Sequence, residues 1–121
     1  MRKILLIEDS PTQAYVTSKV LERNGYEVIL AENGEDGVVV AREQSPDLVI
    51  MDVVMPGKNG YEATRKIAND ELTARIPVVM MTTKSEVTDK LWALRQGALG
   101  YLVKPVAEDE LVSTISNLLD Q

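Results

Sequence analysis

The chain has 121 residues, a size that suits one compact domain, with 45% hydrophobic and 26% charged residues. Thirteen basic against nineteen acidic residues give a net charge of −6, which argues against binding to nucleic acid or to an anionic membrane surface. Cysteine and histidine are both absent, so disulfides, thiol nucleophiles, Cys-based zinc sites and His-dependent triads are excluded. Any chemistry must use carboxylates, hydroxyls, lysines or a metal held through oxygen.

Only four apolar residues follow Met1-Arg2-Lys3, too few for a signal peptide or a membrane span. A cytoplasmic protein is expected. The first strand is predicted at 3–7 (KILLI), running straight into Glu8 and Asp9. A helix over 11–24 follows, with Ser10 as cap and Pro11 at its first position, ending at Asn24-Gly25. Strand 27–31 (EVILA) leads to helix 35–44, entered through Asn33-Gly34 and closed by Ser45-Pro46. Strand 47–51 (DLVIM) is closed by Asp52 and followed by the turn at Pro56-Gly57 and a helix over 59–70. Strand 77–81 (PVVMM) ends at Thr82-Thr83. Helix 86–96 then places Val87, Leu91 and Leu94 on one face, with Trp92 well off that stripe, an angle that leaves open both the usual core position and partial exposure. Strand 100–104 (GYLVK) precedes Pro105 and a last helix over 108–119, whose stripe is Leu111, Ile115 and Leu118.

Five strands alternating with five helices make an α/β fold, (βα)5, with no repeat, linker or low-complexity segment. Several strands are nearly continuous apolar runs, as expected where a parallel sheet is covered on both faces. In a doubly wound parallel sheet the ligand sits beyond the carboxyl ends of the strands. Glu8, Asp9, Asp52, Thr82 and Lys104 all fall there. At about 5 Å and an effective dielectric near 20, each pair of like charges costs roughly 3 kcal/mol. A hard divalent cation resolves that conflict, and an all-oxygen ligand set points to Mg2+. Taken singly, each residue has a plainer reading. An acidic pair before a helix compensates its dipole, an Asp at a strand end is a cap, and a lysine before proline is solvated. Their convergence on one sheet edge is what favours a site.

With these residues in place the chain resembles a single-domain, CheY-like response-regulator receiver. Four elements carry the resemblance over the whole length: the acidic pair in IEDS, MDVVMPGKNG, the hydroxyl in PVVMMTT, and GYLVKPV. The resemblance implies a flavodoxin-like sheet of order 2-1-3-4-5 and no effector domain. It implies Asp52 as the phosphoacceptor for a histidine kinase, with Asp9 binding Mg2+ directly, Glu8 through water, and the Val54 carbonyl as a further ligand. Lys104 would pair with the phosphoryl oxygens, Thr82 would sense them, and Tyr101 would swing inward when Thr82 moves. A cis Lys104–Pro105 bond is expected. Val54 and Lys84 occupy positions that tune phosphate lifetime and depart from the family's polar and acidic residues; Glu8 stands where an Asp is usual.

Residues 88–106 (TDKLWALRQGALGYLVKPV) further resemble regulators of the type IV pilus, or twitching-motility, chemosensory system. That implies a CheA-like kinase as phosphodonor and a downstream protein target reached through a surface including Trp92 and Tyr101. The protein is expected to be a monomer and no enzyme beyond its own phosphorylation and dephosphorylation. The alternatives are a non-phosphorylated binding module and a phosphohydrolase with an aspartate nucleophile. The latter would carry a second Asp where this chain has Val54. A flavin carrier on the same fold is disfavoured because Glu8-Asp9 would repel a bare phosphate.

Overall fold

The computed structural model describes residues 1–52 and 58–120. Its elements run β1 (Lys3–Ile7), α1 (Pro11–Arg23), β2 (Glu27–Ala31), α2 (Gly34–Gln44), β3 (Leu48–Asp52), α3 (Lys58–Asn69), β4 (Val78–Thr82), α4 (Val87–Arg95), β5 (Gly100–Val103) and α5 (Glu108–Leu119). All strand pairs are parallel and the order is β2-β1-β3-β4-β5, the expected architecture.

Short polar residues cap the starts of α1, as predicted, and of α2. The Ser10 side chain accepts from the Gln13 N–H, and Asn33 accepts from the Asp36 N–H at 2.8 Å. Gly25 and Gly97 take positive φ just past the ends of α1 and α4, a conformation that costs glycine little.

Strands β3 and β4 are buried at every residue because helices cover both faces. Side chains alternate between two cores. Leu5, Ile7, Val49, Met51, Val78 and Met80 meet α2, α3 and α4 through Ala41, Ala63, Ile67 and Ala93. Ile4, Leu6, Leu48, Ile50, Val79 and Met81 meet α1 and α5 through Leu21, Leu111 and Ile115. On α2, Gly37 permits close approach: a Cβ there would lie 2.3 Å from Ile7 Cδ1. This seats α2 against the last residue of β1, next to Glu8.

Two expectations need correction. Strands 3 and 4 begin one residue later than predicted, at Leu48 and Val78, and so take in Asp52 and Thr82. Asp47 is a tie before the strand: its N–H donates to the Lys3 carbonyl at 2.8 Å and its carboxylate accepts from the Lys3 N–H at 2.7 Å. The second correction is α4. Its Val87–Leu91–Leu94 stripe faces solvent, and the one buried residue of the helix is Ala93, on the opposite side. Hydrophobic spacing marks a face without fixing its direction; here a small side chain lets the helix lie close to the sheet. The stripe of α5 does pack inward, with Leu111 and Ile115 buried.

Candidate functional site

Register brings the site together. Ile7 pairs with Met51, so Glu8 and Asp52, one step further along each strand, come side by side. Asp52 pairs with Met81 and Thr82 with Val103, and the Lys104 N–H donates to the Thr82 carbonyl at 2.7 Å. Lys104 then reaches back over the strand ends. Its ammonium contacts Asp52 Oδ1 and lies 4.0 Å from Glu8 Oε1. The Lys104–Pro105 bond is cis, as expected.

The carboxylates of Glu8 and Asp52 are wholly buried, and apart from the Lys104 ammonium on Asp52 Oδ1 their oxygens meet no hydrogen-bond partner of ordinary geometry among the described residues. Burial pushes the Glu8 carboxyl up to about 7, with the negative Asp52 beside it adding to the rise and Lys104 opposing it. Burial also raises Asp52, while Lys104 pulls it down. A buried anion left without hydrogen bonds is costly, and one lysine shared between two is incomplete compensation.

Asp9 is exposed at the rim, with its carboxylate close enough to that of Glu8 to add to the rise of Glu8. Among the described residues, no three acidic side chains already stand close enough to share a cation. Val54, expected to ligate through its carbonyl and to tune lifetime, lies outside the described residues.

Thr82 is fully buried. Its hydroxyl accepts from the Lys84 N–H at 3.2 Å, and the Lys84 carbonyl accepts from the Tyr101 hydroxyl at 2.8 Å. One peptide segment thus links the two predicted switch residues, while the Lys84 side chain is exposed. Tyr101 is half-buried against the core, and burial with Asp89 nearby pushes its hydroxyl up to about 12. Trp92 is 48% exposed, the second of the two positions its angle on the helix left open. It meets Tyr61 edge-on at 6.4 Å and carries the Arg95 guanidinium 6.0 Å above its ring.

One contributor was missed. Thr17 on α1 is buried and lies close enough to Asp52 to lower it slightly, without a hydrogen bond of ordinary geometry. The signal was a hydroxyl on the buried Ala14–Leu21 face of α1.

Residues 4–116 match the response regulator receiver domain model. The chain belongs to the response-regulator receiver family. It is 51% identical over 119 residues to Protein PilH of Pseudomonas aeruginosa, covering 98% of both chains, which supports the pilus-system resemblance of residues 88–106. Among solved structures it superposes on the chemotaxis protein CheY4 of Vibrio cholerae with a TM-score of 0.89 and 31% identity, covering 98% of this chain and 99% of that one. The receiver domain of a Pseudomonas aeruginosa sensor histidine kinase, solved with a magnesium ion in its active-site cleft, gives 0.89 and 32% identity, covering 99% and 98%. As a receiver, the chain is a phosphorylatable switch of a two-component relay, a signalling domain rather than an ordinary enzyme. Receivers take their phosphoryl groups from histidine kinases. Among the described residues no helix is long and apolar enough to cross a membrane.

Proposed function

We propose that Asp52 is the phosphoacceptor and that Glu8, Asp9, Lys104, Thr82 and Tyr101 are its machinery. The observation that carries this is the pair of buried carboxylates, Glu8 and Asp52, spanned by the single ammonium of Lys104. Such an arrangement destabilises the resting protein and suits one that receives further charge partners.

An Asp52 carboxylate oxygen attacks the phosphorus of a phosphohistidine. The P–N bond breaks, its electron pair stays on the imidazole nitrogen, and an acyl phosphate forms. Phosphoryl transfer depends on positioning and charge neutralisation. Lys104 already sits on Asp52 and would follow the incoming phosphoryl oxygens as a point charge. The buried oxygens of Glu8 and Asp52, with Asp9 at the rim, fit a hard, oxygen-seeking Mg2+, for which the Val54 carbonyl would be a further ligand. When bound, Mg2+ supplies neutralisation of the charge that gathers on the phosphoryl oxygens.

Thr82 would respond by turning its hydroxyl from the Lys84 N–H toward the phosphoryl group. That releases the segment held by Tyr101 and alters the α4 surface around Trp92, which a downstream protein reads. Lys84 and Val54 set the lifetime of the acyl phosphate. The partners are a CheA-like histidine kinase and a protein target of a chemotaxis or pilus-motility system, and the protein works as a cytoplasmic monomer.

The test is labelling by a radiolabelled small acyl phosphate with Mg2+, read by gel and intact mass. Wild type takes one phosphoryl group and Asp52→Asn takes none. Equal labelling of the variant would remove Asp52 from the role.

A further inference from the structure

On the outer flank of α1, away from α5, a cleft of about 550 Å3 lies between that helix and β2. Ala14 and Ala31 are buried at its base, and Tyr15, Val28 and Leu30 line it. Two further features set this cleft apart.

The first is that β2 is an end strand of the sheet. The Glu27 N–H donates to the Arg2 carbonyl and the Ala31 carbonyl accepts from the Glu8 N–H, so the odd-numbered residues of β2 turn their peptide groups toward β1. By alternation, Val28 and Leu30 turn theirs to the free edge, and their side chains face the α1 side. Free edges are commonly guarded by charge. Here Glu27 and Glu32 guard the ends, but Leu30, in the middle, is 54% exposed.

The second is Ser18. This residue lines the cleft, and its hydroxyl is buried and meets no hydrogen-bond partner among the described residues. A serine within a helix ordinarily bonds back to the preceding turn or points to water. Around it the charge is one-sided: Asp9, Glu22 and Glu32 rim the cleft, and Lys19 is already engaged by Glu22 at 3.6 Å and by the Tyr15 ring at 5.3 Å.

We infer that this edge receives a strand: an extended segment of a partner protein, apolar at alternating positions and cationic at both ends, adds beside β2 as a sixth strand. Main-chain hydrogen bonds to Val28 and Leu30 would hold it. Its apolar side chains would cover Leu30 and Tyr15, its cationic ends would meet the acidic rim, and the Ser18 hydroxyl would gain a polar partner. The surface lies on a different side of the domain from α4, and its use does not require Asp52 to be phosphorylated.

The experiment titrates 15N-labelled full-length protein, without Mg2+ or phosphodonor, with the capped heptapeptide Lys-Thr-Val-Thr-Val-Thr-Lys, whose lysines and valines share one face when extended. Amide shifts are expected at Tyr15, Ser18, Val28 and Leu30, with slowed hydrogen exchange of the Val28 and Leu30 N–H groups. A peptide with glutamates in place of both lysines should bind about tenfold more weakly. Leu30→Lys, at an exposed position, should weaken binding similarly while leaving the melting temperature near wild type. Absence of shifts at millimolar peptide, shifts centred on β5 or α4, equal binding of the glutamate peptide, or an unaffected Leu30→Lys protein would each overturn the inference.

Discussion

Replacing Lys104 by methionine keeps the length of the side chain and removes the ammonium between Glu8 and Asp52. At 4.0 Å from Glu8 Oε1 and an effective dielectric near 20, that ammonium contributes about 4 kcal/mol of attraction to Glu8 alone, before its own desolvation is subtracted. Breaking a buried ion pair by deleting one partner typically costs about 3–5 kcal/mol, and the 16% exposure of the lysine side chain favours the low end. For a chain of this size, ~3 kcal/mol corresponds to a melting temperature lower by roughly 12 °C. The measurement is a thermal melt followed by far-ultraviolet circular dichroism, in EDTA at pH 8, above the value of about 7 for Glu8. In the Lys104→Met background, adding Asp52→Asn should restore most of the loss, because only one buried carboxylate then remains. A Lys104→Met protein that melts within about 2 °C of wild type, or a double variant that melts no higher than the single one, would refute the charge-crowding argument.

Three further outcomes follow from the same geometry. Millimolar Mg2+ should raise the melting temperature of the wild type, and Asp9→Ala should lose most of that rise; an undiminished rise would take Asp9 out of the ligand set. A beryllofluoride–Mg2+ mimic of the phosphoryl group should change Trp92 fluorescence, and Thr82→Ala should abolish most of the change; an intact response would break the proposed route through Lys84 and Tyr101. Glu108, which accepts from Arg23 and from Asn24 Nδ2 at 3.0 Å, is held down at about 2 from its ordinary 4.5. A lowered carboxylate stabilises the fold above its unfolded value and loses that contribution as pH falls toward the folded one. Glu108→Gln should therefore melt below wild type at neutral pH, with the gap closing between about pH 4.5 and pH 2 and narrowing in high salt. A gap that is constant with pH would rule out the ion pair as its source.

The strand ends were legible because apolar runs stop abruptly at charged or hydroxyl residues, and the fold follows from their alternation with capped helices. Ser10 could be read as a cap from side-chain chemistry alone. What could not be read was direction. The alternation of β1 tells nothing about which of Glu8 and Asp9 turns inward until the pairing of Ile7 with Met51 is known. The stripe on α4 has the same spacing as the one on α5, yet one faces water and the other the core. Only the close seat of Ala93 on the sheet separates them. Thr17 was hidden for a related reason: its meaning lies in an Asp thirty-five residues away.

An α4 fastened through one alanine and bare along its apolar side has a colloidal consequence. Val87, Leu91, Leu94 and Leu99 would bring copies of the domain together in concentrated solution. The net charge of −6 opposes this by mutual repulsion at distances set by the ionic strength. Acidity elsewhere on the surface is thus what lets the helix stay uncovered, and a basic fusion tag that cancels it would trade a dispersed protein for an associating one.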